Sequence, residues 1–74
     1  MQIFVGTALR VCKELDIIDK KGQLMVMRFA KIYPIEKMVK ITNVAKTYPW
    51  YVKNPVAAFM KSVGDVNREE KENG

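Results

Sequence analysis

The sequence predicts an all-α fold, a small bundle of three to four short helices, and three observations carry this prediction. Apolar residues recur every three or four positions in successive segments, which is the spacing of one helix face. Prolines separate these segments, and 49% of the 74 residues are hydrophobic. A chain of this length forms one domain, which we expect to span residues 1–67, with a polar, disordered tail at 68–74.

The first helix is predicted from apolar residues that fall on one face, among them Phe4, Val11 and Leu15. Two starts remain open, because Thr7 follows a glycine and could be the N-cap, whereas the first turn could also begin at Gln2. The face itself is common to both alternatives.

The next segment, DIIDKKGQL at residues 16–24, marks a break with two interpretations. In one, Gly22 supplies a permissive backbone position between two helices, and a second helix runs over QLMVMRFAKIY, with Met25, Phe29 and Ile32 on its buried face. In the other, DKKG is the turn of a hairpin around residues 16–29, which would make the fold α+β. The abundance of Leu, Met, Arg and Lys favours the helix.

A third helix is predicted over residues 34–48. Pro34 suits the first helical position, and Pro49 ends the segment. Successive residues at 100° steps place four apolar side chains in one quadrant, which predicts a buried stripe of Met38, Ile41, Ala45 and Tyr48.

The last helix has the clearest start signal, since Asn54 is a preferred N-cap and Pro55 a preferred first residue. Gly64 weakens such a helix by about 1 kcal/mol relative to alanine, which suggests close packing there or an early end. The predicted buried face consists of Val56, Phe59, Met60, Val63 and Val66.

Charge is distributed unevenly along the chain. Residues 20–61 carry nine basic side chains against Glu36 alone, so this segment has a net charge of +8, whereas residues 1–19 carry −1 and residues 62–74 carry −2. A basic field of this density attracts polyanions, most commonly nucleic acid.

Several classes of function lack the residues that they need. The chain has no histidine and one cysteine, Cys12, which excludes a disulfide within the chain and a zinc site of Cys and His ligands. No nucleophile has a base beside it and no glycine-rich phosphate loop occurs, so we expect neither an enzyme nor a cofactor. Cys12 lies among apolar residues and is predicted to be part of the core. No apolar run approaches a membrane span, and we expect a cytoplasmic protein without a membrane partner.

The basic segment also predicts a binding site. A helix N-terminus presents free backbone amides to a phosphate, and a base can stack on an aromatic ring. The start of the last helix has a lysine and rings beside it, although the rings could equally fill the core. The candidate nucleic-acid-binding residues are Lys31, Lys37, Lys40, Lys46, Trp50, Tyr51, Lys53 and Asn54.

The segment VKNPVAAFMKSV, residues 52–63, resembles an Asn-Pro-led helix near the C-termini of replication initiator and helicase-loader proteins of phages, plasmids and other mobile elements. The likeness covers about a dozen of the 74 residues. It implies a role in DNA replication or its control, with a replication protein as a partner. The matching residues are Asn54, Pro55, Ala57, Ala58 and Phe59.

The predicted function is therefore a non-catalytic helical module that binds nucleic acid, DNA in preference to RNA, or a replication complex. Binding would show little sequence preference, because no recognition helix rich in Arg, Asn and Gln is present. The alternative is a protein interaction module or homodimer that uses exposed methionines, Met25, Met27 or Met60. The first function requires the lysines to share one surface; pairing with the tail carboxylates would remove them from it.

Overall fold

The computed structural model describes residues 3–73, which form four helices joined by connections without strands. The all-α prediction is confirmed, and the hairpin alternative for residues 16–29 is wrong because residues 20–29 are helical and the described part of that segment contains no strand. The helices are α1 (Ile3–Leu15), α2 (Lys20–Ile32), α3 (Ile35–Ala45) and α4 (Pro55–Asn73).

Helix α1 already includes Ile3, so Thr7 is an interior residue and not an N-cap; Gln2 lies outside the described residues. The helix ends at Leu15 and is followed by Asp16, whose backbone adopts the left-handed conformation with φ of 59°. Asp19 then starts α2, because its Oδ2 accepts a hydrogen bond of 3.2 Å from the backbone N–H of Gly22.

Gly22 lies inside α2, in its first turn, and not in the connection where the sequence placed it. Its φ is not positive, so the backbone does not require a glycine. A Cβ at this position would lie 2.8 Å from the Cγ2 atoms of both Ile17 and Val56. Gly22 therefore allows the start of α2 to approach the start of α4 closely.

Helix α3 keeps its predicted buried stripe but is shorter than predicted. Pro34 is its N-cap and not its first residue, and the helix ends at Ala45, three residues before Tyr48. Met38, Ile41 and Ala45 are buried as expected. Thr42 is buried as well, because its hydroxyl donates a 2.8 Å hydrogen bond to the carbonyl of Met38.

Helix α4 begins as predicted at Pro55, and the Oδ1 of Asn54 accepts a 3.2 Å hydrogen bond from the N–H of Ala57. It continues to Asn73, whereas the sequence suggested a disordered tail from residue 68. Gly64 neither ends the helix nor packs closely, since a Cβ there would have no atom within 4 Å. Its cost in helix propensity is therefore not offset by a packing contact.

The helices enclose one core, and Phe59 of α4 is fully buried within it. The centroids of the Phe59 and Phe29 rings are 5.7 Å apart. Met60 was predicted to be buried and is exposed; Ile32 of α2 is exposed as well. Cys12 lies in the core as expected, and burial raises the pKa of its thiol. The core residues are Ala8, Val11, Cys12, Leu15, Ile17, Val26, Ala30, Met38, Ile41, Ala45, Ala58, Phe59, Val63 and Val66.

Contacts between the helices fix their relative directions. Helix α1 packs chiefly on α2, and α3 on α4. The ends of α1 and α3 meet where Glu14 pairs with Lys46, and the starts of α2 and α4 meet at Gly22 and Val56. The connections at residues 16–19 and 46–54 therefore lie at the same end of the bundle, which we call the loop end.

Candidate functional site

Three lysines of the predicted site, two in α3 and one just after it, all pair with carboxylates. Lys37 Nζ lies 2.9 Å from Glu70, and Lys40 Nζ lies 3.2 Å from Glu69, so both pair with the C-terminal part of α4. Lys46, just after α3, lies 3.4 Å from Glu14 of α1.

This pairing changes the local charge. Exposed ion pairs of this kind contribute at most about 1 kcal/mol each, but each carboxylate cancels the field of its lysine and repels a phosphate. Lys37 is held further by the ring of Tyr33, whose centroid lies 4.1 Å from its ammonium group. The expectation from the sequence that Lys37, Lys40 and Lys46 belong to an open basic surface is therefore wrong.

Helix α2 presents a different set of cations. Its 13 residues include four basic side chains and no acidic one. At 100° per residue these four lie within about 100° of the helix circumference, and the first and last are about 17 Å apart along the axis. We call this exposed set the α2 basic face; it consists of Lys20, Lys21, Arg28 and Lys31.

None of these four side chains forms an ion pair with any residue that the structure describes. Five ion pairs occur within residues 3–73, and all of their cations come from α1, α3, α4 or the residue that follows α3. Lys31 lies with its ammonium group 5.2 Å from the centroid of the Phe4 ring, a contact that leaves its charge uncompensated. The α2 basic face therefore keeps its full positive charge.

Lys53 extends this charge toward α4. It is exposed, forms no ion pair within the described part of the chain, and comes just before the Asn54 cap. The starts of α2 and α4 are in contact through Gly22 and Val56, so Lys53 lies at the same end as Lys20 and Lys21. Asn54 itself uses its Oδ1 for the N-cap, which supports the fold and leaves that atom unavailable to a ligand.

The aromatic residues of the loop end form a stack. The rings of Tyr48 and Trp50 are nearly parallel, with an interplanar angle of 4° and centroids 5.3 Å apart. Tyr48 and Tyr51 pack against the core, whereas Trp50 is 38% exposed. The possibility that the rings fill the core thus holds in part for the two tyrosines and fails for Trp50.

A hydrogen-bonded cluster anchors this stack to α4. The hydroxyl of Tyr48 donates a short hydrogen bond to Oδ2 of Asp65, and Lys61 Nζ lies 3.5 Å from the same oxygen. Burial, together with the neighbouring carboxylate, raises the pKa of Tyr48 to about 12. The same hydrogen bond, with the charge of Lys61, lowers the pKa of the Asp65 carboxyl.

A groove of about 460 Å³ runs between α1 and α3. Ile35 and Val39 are exposed along its α3 side, and the lining residue Glu14 pairs with both Arg10 and Lys46. Its lining is mixed in character, because it combines apolar, hydroxyl, amide and paired charged groups.

Sequence reasoning missed three members of the α2 basic face, Lys20, Lys21 and Arg28. A partial signal was present, since the predicted helix QLMVMRFAKIY contains Arg28 and Lys31 and no acid, but Lys20 and Lys21 precede that helix in the predicted break. Of the three methionines that the interaction-module alternative requires to be exposed, Met60 is exposed, whereas the two on α2 pack partly against the core.

Within residues 3–73 no helix combines the length and the apolar character needed to cross a membrane. Comparison with protein-family models, curated proteins and solved structures finds no match to this chain. The functional argument therefore depends on the geometry and charge of the chain itself.

Proposed function

We propose that this protein is a non-catalytic module that binds nucleic acid, with little sequence preference, through the α2 basic face and Lys53. One observation supports this most strongly: four cations without carboxylate partners share one face of α2, a fifth, Lys53, lies at the same end of the bundle as Lys20 and Lys21, and the other lysines of the predicted site pair with carboxylates. A polyanion gains most where positive charge is both exposed and uncompensated.

The chemistry of the face limits what it can recognise. Ammonium groups on flexible stems contact phosphates as point charges and carry little sequence information. One arginine, Arg28, is too few for a set of bidentate base contacts in a groove. Phosphates are common to DNA and RNA, so the proposal covers both.

The resemblance to replication proteins adds little to this argument. It covers the start of α4, where Asn54 and Pro55 act as N-cap and first helical residue. These roles explain the Asn-Pro pair by capping alone. We therefore limit the proposal to nucleic-acid binding and treat a replication complex as one setting in which it would operate.

A protein interaction module or homodimer ranks second. It is favoured by the groove between α1 and α3, where Ile35 and Val39 are exposed. The charges in that groove already pair with one another, so no charge complementarity indicates what would cover it. Such binding would be nearly indifferent to salt, in contrast to binding on the α2 basic face.

The test compares two variants with equal net charge. The first, the face variant, replaces the four residues of the α2 basic face by glutamine. The second, the paired-cation variant, replaces four basic residues that have carboxylate partners, namely Arg10, Lys37, Lys40 and Lys46. Each variant lowers the net charge from +5 to +1.

Affinity for a labelled oligonucleotide is then measured at about 50 mM salt, with circular dichroism to confirm folding. Loss of four phosphate contacts should weaken binding by the face variant about 4,000-fold, because each contact contributes nearly tenfold at this salt concentration. The paired-cation variant should lose much less. Equal losses would show that net charge alone matters, and a wild-type protein that fails to bind would refute the proposed function.

A further inference from the structure

The Tyr48–Trp50 stack leaves one aromatic face open. Parallel rings in contact are separated by about 3.5 Å, so centroids 5.3 Å apart describe an offset stack. Tyr48 packs partly against the core and covers one side of the indole, whereas Trp50 keeps 38% of its surface exposed. Part of the indole therefore remains available to a further ring.

The stack is held in place before any ligand arrives. The Tyr48 hydroxyl is tied to Asp65, and Lys61 lies 5.4 Å from the centroid of the Tyr48 ring. The carbonyl of Trp50 accepts backbone hydrogen bonds from Lys53 at 3.1 Å and from Asn54 at 3.3 Å. A ring fixed in this way loses little conformational freedom when a third ring stacks on it.

Positive charge lies next to the open ring. Lys53 follows Trp50 by three residues and is bonded to its carbonyl through the backbone, and it belongs to the basic surface that includes Lys20 and Lys21. A nucleotide stacked on Trp50 would thus have its phosphate within a basic field. A base inside a duplex is covered on both faces by its neighbours and cannot use such a ring, whereas an unpaired base can.

From this geometry we infer that Trp50 is a stacking platform for an unpaired base, and that the nucleic acid bound by this protein is single-stranded. The inference rests on the proposed function, because the phosphate contacts of the α2 basic face would supply most of the affinity and the stack would add a preference for unpaired bases. Removing one such stacking contact lowers affinity by about 5- to 150-fold in proteins that bind single strands.

The test separates bases from phosphates. Oligothymidine is compared with an abasic oligonucleotide of the same length and phosphate number, at low salt. Trp50 is the only tryptophan of the chain, so intrinsic tryptophan fluorescence reports on this ring alone. We expect oligothymidine to bind about 5- to 150-fold more tightly and to quench the fluorescence, and the abasic strand to bind without quenching.

Two substitutions then test whether the preference for oligothymidine depends on Trp50. Trp50→Ala should abolish the preference for oligothymidine over the abasic strand and leave affinity for the abasic strand intact. Ile35→Ala, which truncates an exposed apolar residue in the α1–α3 groove, should leave both affinities unchanged. Trp50 is not one of the core residues, although its truncation removes the stack on Tyr48, so circular dichroism checks that each variant is folded.

Failure of the stacking inference and failure of the proposed function give different binding results. Equal affinity for the two strands without quenching would overturn the stacking inference while leaving phosphate binding standing. A duplex that binds as tightly as oligothymidine and quenches equally would also overturn it. If neither strand binds at low salt, the proposed function fails and the inference fails with it.

Discussion

Two glycine substitutions should shift stability in opposite directions, and the structure gives the magnitude of each. At Gly64 an added methyl group meets no atom within 4 Å, so Gly64→Ala gains only helix propensity, about 1 kcal/mol. For a domain of this size, that gain raises Tm by about 4–8 °C. At Gly22 the same methyl group would lie 2.8 Å from the Cγ2 atoms of Ile17 and Val56.

Those two atoms belong to β-branched side chains, whose stiff χ1 angles limit relief of the clash. Overpacking of a buried site costs about 1–3 kcal/mol, and the propensity gain near a helix start offsets only part of it. We therefore expect Gly22→Ala to lose about 1–2 kcal/mol, measured by urea denaturation with circular dichroism at 222 nm. A Gly22→Ala protein at least as stable as the wild type would refute the close approach of α2 to α4, and with it the position of Lys53 beside the α2 basic face.

Four further predictions concern the loop end, the core and the ion pairs. The pKa of Tyr48 is raised from 10.0 to about 12, so its contribution to stability should be complete below pH 10 and lost as the pH rises through about 12; alkaline unfolding curves of wild type and Tyr48→Phe should converge there. The pKa of Asp65 is lowered, so Asp65 stabilises the fold above its ordinary pKa and loses this contribution as the pH falls; Tyr48→Phe should raise the Asp65 pKa toward its ordinary value by carboxyl-carbon NMR, and an unchanged pKa would contradict the hydrogen bond. Phe59→Ala should cost about 3–5 kcal/mol, as much as a core of this size supplies, and leave the chain largely unfolded by circular dichroism. Lys37→Ala should destabilise by about 1 kcal/mol and Lys40→Ala by a few tenths, because Lys37 is the less exposed and also contacts a ring; equal losses in chemical denaturation would argue against that difference.

The elements that the sequence predicted well are those fixed by local chemistry. Asn54 and Pro55 start α4 because capping involves only neighbouring residues. The stripe of α3 was readable because Met38, Ile41 and Ala45 repeat at helical spacing. The start of α2 was less clear, since its cap Asp19 lies in a segment that also has the composition of a turn.

The elements that it missed depend on residues far apart in the chain. The charge of Lys37 is neutralised by Glu70, 33 positions later, and that of Lys46 by Glu14. A charge count along the chain treats such residues as free, although the fold neutralises them. Gly22 was assigned a role in the backbone because its packing partner, Val56, belongs to a helix that cannot be placed from local pattern.

In the candidate site, too, the features set by local sequence were predictable and those set by distant contacts were not. Sequence composition located the positive charge in the middle of the chain, and it identified Lys31, Lys53 and Trp50 as candidate residues. It could not show that Trp50 would stack on Tyr48, because the orientation of the Tyr48 ring depends on its hydrogen bond to Asp65 in α4.

The salt dependence of binding to single-stranded oligonucleotide tests the central claim most directly. If the four residues of the α2 basic face and Lys53 each neutralise one phosphate, log affinity should fall against log salt concentration with a slope of about −3.5, since a single strand gives about −0.7 per contact. The face variant should retain a slope near −0.7, and the paired-cation variant should keep the wild-type slope. A wild-type slope near zero, or a face variant with the wild-type slope, would contradict the account.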